Sequence, residues 1–201
     1  MLPLARHRVA PQTSCIISDY IDRIRNLSFD EEAILELSYS LREAWGEGRQ
    51  VFLCGNGGSA ANAIHIANDL FYGIGQATGR TGLRAHALCA NQSISTCLAN
   101  DVNYAEIFAD QLRVYAQPGD LLIALSGSGN SPNVVRALEM ASKLKVKSYA
   151  LLGYSGGKCL TLADHPIHFP VDDMQIAEDA QSMVGHMVTQ WLRENPPAGG
   201  L

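Results

Sequence analysis

Residues 50–70 read QVFLCGNGGSAANAIHIANDL, and this stretch decides the fold. A short apolar run, a glycine-rich turn and a helical pattern follow one another directly in it. The same order returns in GDLLIALSGSGNSPNVVRALEMASKL, residues 119–144. Further apolar runs at 85–89, 147–152 and 167–169 alternate with helical segments. Strands separated by helices require right-handed crossovers and a parallel sheet that is buried on both faces. The pattern predicts an α/β three-layer sandwich with about five parallel strands.

Helical periodicity also precedes and follows the predicted sheet. Apolar residues recur at helical spacing from Ser14, and residues 28–48 begin with acidic residues and end in glycine, as a helix would. We expect both helices to pack on the sheet, and a long last helix to run from about Gln175 to Leu192. The predicted organisation is a flexible arm at 1–13, a single domain at 14–195 and a frayed tail at 196–201.

Composition narrows the class of protein. Hydrophobic residues make up 47% and charged residues 17% of the 201 residues, which argues against disorder. A net charge of -5 gives no electrostatic reason to expect nucleic acid. The five cysteines are scattered without a CxxC motif, and Cys54 and Cys89 lie in apolar runs that predict buried thiols. With no apolar stretch long enough for a signal peptide or membrane span, we expect a cytoplasmic protein with no membrane partner.

The first loop, Gly55–Ser59, lies directly between a predicted strand and a predicted helix. Glycines let backbone amides turn toward a ligand, and the helix N-terminus favours negative charge, so the position suits an anion. A tight strand-to-helix connection needs glycine as well, so this loop alone leaves both interpretations open. Its spacing differs from the dinucleotide fingerprint GxGxxG.

The second loop offers hydroxyl groups from Ser126, Ser128 and Ser131 around Gly127, followed by Pro132 at a helix start. Several neutral donors together with backbone amides suit a phosphate monoester that is held rather than transferred. An ordinary serine N-cap before proline would explain Ser131 but not the other two serines.

Two histidines and two carboxylates form a possible catalytic or metal-binding set. His65 and Asp69 lie four residues apart on one predicted helix, and Glu178 and His186 lie eight apart on the last helix. Such a set could bind a divalent metal, and either carboxylate could act as a base. Spacing alone favours a plainer interpretation, in which the histidine is hydrogen-bonded and the acids face solvent.

Three segments resemble the phosphoheptose isomerases of the SIS superfamily: CGNGGSAANAIH, LANDVNYAEIFADQL and ALSGSGNSPNVVRALEMA. The similarity extends over residues 51–192. The resemblance implies a flavodoxin-like parallel sheet and a homotetramer with active sites shared between subunits. It also implies a substrate site built from Asn56, Gly57, Gly58, Ser59, Asn91, Ser126, Gly127, Ser128, Ser131 and Glu178, with the serines on the sugar phosphate.

The resemblance further implies a zinc site at His65, Asp69, Glu178 and His186, with Asp69 and His186 as the acid/base pair. The family usually has glutamate and glutamine where this chain has Asp69 and Glu178. It also usually has Thr-Gly-Arg where residues 71–73 read Phe-Tyr-Gly, and a histidine in many members at Gln181.

The function implied is an aldose–ketose isomerase that acts on a phosphorylated sugar, sedoheptulose 7-phosphate first, through an enediol. One alternative is a non-catalytic SIS module that acts through a protein partner, as in the initiator-associating SIS protein of bacterial replication. Another is an isomerase for a different sugar phosphate. Retention of His65 and His186 favours an enzyme.

Overall fold

A computed structural model describes residues 11–198, with side chains from Ile16 onward. Its helices are α1 (Pro11–Arg25), α2 (Glu31–Glu47), α3 (Gly57–Asn68), α4 (Ile74–Thr78), α5 (Gln92–Asp101), α6 (Ala109–Tyr115), α7 (Pro132–Leu144), α8 (Cys159–Leu162) and α9 (Met174–Glu194). A π-helical segment (Asp69–Gly73) joins α3 to α4, and a 3-10 helix spans Tyr104–Glu106. Its strands are β1 (Gln50–Cys54), β2 (Arg84–Ala87), β3 (Leu121–Ser126), β4 (Lys147–Leu152) and β5 (His165–His168).

The strands form one parallel sheet in the order β2-β1-β3-β4-β5. The predicted α/β fold with a five-stranded parallel sheet is therefore confirmed, and this strand order is the flavodoxin-like one. The chain leaves β1 toward β2 on one side, whereas β3 lies on the other side of β1. Ligands of open α/β sheets bind at such a switch point, outside the carboxyl ends of the strands.

The sheet separates two apolar layers. Val51, Leu53 and Ile123 point to one face, where they pack with residues of α2, α3 and α9. Phe52 and Leu122, the alternate positions, point to the opposite face and pack with α6 and α7. Alternation places successive side chains on opposite faces, so strands apolar at every position need cover on both sides. The three layers follow from this.

The helices α2 and α9 carry the expected boundary residues. Asp30 caps α2 by accepting a hydrogen bond from the Ala33 amide at 3.0 Å, and Gly48 ends it with a left-handed φ of 67°. Asp173 caps α9 in the same way. Both helices bury an apolar face against the sheet, as the periodicity predicts.

The helix α1 differs from the prediction. It begins at Pro11 rather than Ser14, and it does not pack on the sheet. Ile16 is 69% exposed and Ile17 57% exposed. α1 meets α9 through polar contacts, of which Arg23 to Asp173, at 2.6 Å, is an ion pair. The prediction that both N-terminal helices pack on the sheet was therefore wrong for α1, whose Ile16, Ile17 and Ile21 are exposed and whose Ile24 is only partly buried. The rest of the predicted arm, and residues 199–201 of the tail, lie outside the described residues.

The predicted burial of two cysteine thiols is confirmed for Cys54 and only partly for Cys89. Cys54 is fully buried, whereas Cys89 is half-buried and donates weakly to the Ala60 carbonyl at 3.5 Å. Burial raises the pKa of both thiols. Within residues 11–198, no helix combines the length and the apolar character that crossing a bilayer requires.

Candidate active site

The loops that follow β1 and β3 meet at the switch point of the sheet. Asn56 of the first loop and Asn133 of α7 exchange two side-chain hydrogen bonds, each 2.8 Å long. The Tyr104 hydroxyl donates a third bond, also 2.8 Å, to the Asn56 carbonyl oxygen. These contacts fix the two loops relative to each other and define the crevice between them.

Two helix N-termini open onto this crevice. Asn56 and Ser131 occupy the N-cap positions of α3 and α7, but neither side chain makes a capping hydrogen bond. The amides in the first turn of a helix have no intrahelical acceptor, so they are available to a ligand. Gly57 has a φ of 54°, a value that glycine adopts without strain. The arrangement is suited to an anion.

The serine loop, residues 126–131 after β3, lies beside the first loop, and its hydroxyl oxygens accept hydrogen bonds from its own backbone. The Ser126 oxygen accepts a hydrogen bond from the Gly129 amide at 3.1 Å, and the Ser128 oxygen accepts one from the Asn130 amide at 3.3 Å. A hydroxyl that accepts from the backbone still has its own proton to donate. Both serines can therefore donate to phosphate oxygens without losing the bonds that shape the loop.

A neighbouring loop holds the serine loop rigid. Gly129 has a φ of 65°, and a Cβ there would lie 1.9 Å from the Gly156 carbonyl oxygen. The Cys159 amide donates to the Gly129 carbonyl at 3.0 Å, and the Lys158 amide donates to Asn130 at 3.1 Å. A loop so fixed loses little conformational entropy when a ligand binds.

The first turn of α3 contains Gly58 and Ser59. Ser59 is 3% exposed. A Cβ at Gly58 would lie 2.2 Å from the Glu178 carboxylate, so glycine makes room for that side chain. Glu178 therefore lies against the first loop.

His65, Asp69 and His186 come together on the exposed side of α3 and α9. The Nε2 atoms of the two histidines are 2.9 Å apart, and His65 Nε2 is 3.6 Å from the Asp69 carboxylate. One ligand atom from each of the three residues lies within 4.8 Å of the other two. Imidazole nitrogens and a carboxylate oxygen at such spacing can surround one divalent ion or share protons.

The π-helical segment begins at Asp69. Its wider turn places the Ile74 amide on the Asp69 carbonyl, five residues back. Single π-helical turns inside α-helices occur frequently at functional sites. Phe71 and Tyr72, at the segment where the family usually has Thr-Gly-Arg, are 64% and 57% exposed. A Cβ at Gly73 would lie 3.1 Å from an Arg193 guanidinium nitrogen and 3.8 Å from Asp69, so a cation does lie near the carboxylate.

Other predicted residues lie apart from this cluster. Glu178 is not among the three clustered groups. Asn91 is exposed and caps α5 by accepting from the Ile94 amide at 3.2 Å. Gln181 is fully buried and donates to the Leu151 carbonyl at 3.2 Å, which makes it a structural residue.

Sequence reasoning did not identify Asn133, Tyr104 or Met174 as parts of the crevice. Met174 Sδ would be 2.4 Å from a Cβ at Gly127, so it forms a wall of the serine loop. Asn133 and Tyr104 both lie inside the segments quoted above, but an asparagine in a first helical turn and an exposed tyrosine have no distinctive spacing. Only the strand order brings them to Asn56.

The comparisons with known proteins give one consistent result. The family model of the SIS domain matches residues 17–153. The chain is 35% identical to phosphoheptose isomerase of Akkermansia muciniphila over 185 residues, 92% of this chain and 94% of that protein. It is 38% identical to phosphoheptose isomerase of Chlorobaculum parvum over 162 residues, 80% of this chain and 78% of that protein.

Solved structures show the same fold. A phosphoheptose isomerase from Francisella tularensis superposes with a TM-score of 0.84 at 24% identity, covering 92% of this chain and 100% of that chain. The phosphoheptose isomerase from Neisseria gonorrhoeae gives a TM-score of 0.79 at 25% identity with the same coverage.

Proposed function

We propose that this chain, which belongs to the SIS domain family and within it to the phosphoheptose isomerases, interconverts sedoheptulose 7-phosphate and an aldoheptose 7-phosphate. One observation carries the proposal: the first turn of α3, which suits an anion, and the His/Asp cluster beyond its other end are joined by one helix and its π-helical continuation. Phosphate recognition and proton transfer are the two requirements of a sugar-phosphate isomerase.

The distances suit a seven-carbon substrate. His65 follows Gly58 by seven residues, about 10 Å along α3 at the rise of an α-helix. The six C–C bonds of an extended heptose advance roughly 8 Å between the phosphorylated carbon and C1. A phosphate held at the first turn of α3, where the two loops meet, would therefore bring C1 and C2 within reach of the cluster.

In the proposed reaction, Asp69 and His186 move protons. Starting from the ketose, the Asp69 carboxylate removes a proton from C1, and the electrons form the C1–C2 double bond of an enediol. His186 donates a proton to the C2 oxygen as the carbonyl is lost. Return of the carbon proton to C2, with loss of the hydroxyl proton from the C1 oxygen, completes the aldose.

The proposed cofactor is zinc. Two imidazole nitrogens and a carboxylate oxygen within 4.8 Å of one another fit its preferred ligands. His65, Asp69 and His186 would hold the ion, and Glu178, the remaining ligand implied by the resemblance, lies outside this group at Gly58. Bound zinc supplies a Lewis acid that polarises substrate oxygens. Asp69 cannot be a tight ligand and a free base at once.

Solvent proton exchange tests the function directly. Zinc-loaded protein is incubated in D₂O with ketose phosphates of five, six and seven carbons, and NMR follows deuterium at C1 and the formation of aldose. We expect exchange and isomerisation to be fastest with sedoheptulose 7-phosphate. If no ketose phosphate exchanges, with or without zinc, the chain is a binding module rather than an isomerase.

The serine loop gives the first mutational prediction. Replacing both Ser126 and Ser128 by Ala should weaken sugar-phosphate binding by about 1–3 kcal/mol, because donated hydrogen bonds to the phosphate are lost. Calorimetry measures the affinity, and circular dichroism checks the fold. Ser142→Ala, on the body of α7, is the matched control. Equal affinities for all three proteins would remove the loop from the phosphate site.

We propose a homotetramer on the basis of the uncovered apolar surface. Ile17 and Ile21 of α1 are 57% and 45% exposed, and Ile64, Phe71 and Tyr72 are exposed beside the His/Asp cluster. Exposed apolar patches of this kind mark interfaces. Subunits packed there would cover α1 and exclude water from the cluster.

Light scattering tests this assembly. Wild-type protein at micromolar concentration should have the mass of a tetramer, and the double variant Ile17→Glu, Ile21→Glu should have a smaller mass, since buried charge costs several kcal/mol per subunit. Val114→Glu, at a 77% exposed position on α6, should leave the mass unchanged. A monomeric wild-type protein would contradict both the tetramer and the shared site.

A further inference from the structure

A cavity lined by three arginines lies at the opposite end of the strands from the crevice. It has a volume of about 440 Å³ and is lined at the amino ends of β1 and β2 by Arg49, Arg80 and Arg84, with Trp45 and Glu47 from the end of α2. The serine loop follows the carboxyl end of β3, so the parallel sheet separates the two sites. The isomerase reaction proposed above uses none of these residues.

The three arginines differ in how far their charges are neutralised. Arg49 pairs with Glu47 and donates to the Pro118 carbonyl at 3.2 Å. Arg84 donates one hydrogen bond of 3.0 Å to the Gly48 carbonyl and has no carboxylate partner among the described residues. Three guanidinium groups and one carboxylate line the cavity, and two further carboxylates, Glu43 and Asp120, lie near Arg49.

Arg80 is the least satisfied of the three. One of its terminal nitrogens, Nη1, is buried without a hydrogen-bond partner, and the side chain forms no ion pair within residues 11–198. A buried unpartnered donor is costly, and the cost is greater for a charged group. In native folds such a group is commonly satisfied by a bound water or ion.

The shape of the cavity allows a ligand to reach these groups. Gly46, Gly48 and Gly82 line it without side chains. The backbone of its wall is also fixed: the Arg80 amide donates to Gly75 at 3.0 Å and the Leu83 amide donates to Leu70 at 2.9 Å. The backbone that carries these arginines is therefore fixed, and all three side chains line the cavity.

We propose that this arginine cavity is a second anion site, which binds a phosphate-bearing ligand independently of the serine loop. Guanidinium groups form paired hydrogen bonds with phosphate oxygens, and Arg80 and Arg84 have no carboxylate partner among the described residues. The site requires no change of protonation, since arginine stays charged at any physiological pH.

The test uses inorganic phosphate as the probe and removes the competing site first. In the Ser126→Ala, Ser128→Ala background, calorimetry should still detect phosphate binding at one site per chain. Adding Arg84→Gln or Arg80→Gln should weaken that binding at least about tenfold, since each removes a charged donor. Arg113→Gln, an exposed arginine on α6, is the matched control and should change nothing.

Hydrogen exchange locates the ligand. Phosphate should slow exchange of the hydrogen-bonded amides of Arg80 and Leu83 in the serine-loop background, and not after Arg84→Gln. Arg84 is exposed, so its replacement leaves the fold intact even if Arg80→Gln destabilises the chain. Absence of phosphate binding in the serine-loop background, or equal affinity after Arg84→Gln, overturns the proposal. Neither result bears on the isomerase assay.

Discussion

Replacement of Asp69 by Asn lowers isomerase turnover at least about a hundredfold while substrate affinity is largely kept. The amide has nearly the volume of the carboxylate and can stay 3.6 Å from His65, but it cannot accept the carbon proton. Single-turnover rates and solvent exchange by NMR measure the chemical step, and calorimetry measures affinity.

Two further variants serve as controls for Asp69→Asn, one at another aspartate and one that keeps a carboxylate at position 69. Asp110→Asn, which removes a surface ion pair with Arg113, should leave turnover unchanged. Asp69→Glu should retain activity, since it restores the residue that the family usually has and lengthens the side chain by about 1.5 Å. If Asp69→Asn turns over as fast as wild type, the base is elsewhere, and Glu178 is the next candidate.

The sheet could be predicted from sequence because its strands are buried on both faces. The run predicted at 147–152 is the observed strand β4, since apolar residues at successive positions suit a buried parallel strand. The strand predicted at 167–169 begins two residues earlier in the structure and spans His165–His168. There only Ile167 of the strand is fully buried, so the pattern defines the strand poorly.

The position of α1 could not be predicted. Its periodicity identifies an apolar stripe, but periodicity does not say what covers the stripe. The described chain leaves Ile16 and Ile17 exposed, and α2 already fills the place on the sheet through Leu37 and Leu41. A pattern in one chain cannot distinguish a surface covered by the same chain from one covered by another.

The candidate site also has one part that the sequence predicts and another that only the fold determines. His65 and Asp69 are close in sequence and on one helix, so their contact follows from spacing alone. His186 joins them only because α9 crosses α3, and Glu178 on the same helix reaches Gly58 instead. Eight residues on a helix span more than two turns, so the two residues of α9 need not share a ligand.

The pair His65 and His186 gives the last prediction: His186→Gln should lower turnover at least about a hundredfold and weaken zinc binding by a similar factor. Glutamine can hydrogen-bond but cannot carry a proton near neutral pH, whereas imidazole can. Two Nε2 atoms 2.9 Å apart cannot both donate to each other, so the histidines either share one proton or turn both lone pairs to a metal ion.

Separate measurements distinguish these two arrangements. Zinc affinity is measured by competition with a chelator, and turnover is measured with and without zinc. His86→Gln, on edge strand β2 where the ring stacks on Phe52, is the control and should change neither. Unchanged zinc affinity in His186→Gln, together with lost turnover, would make His186 an acid/base residue that is not a ligand. If zinc affinity and turnover are both unchanged in His186→Gln, His186 is not part of the site, despite its contact with His65.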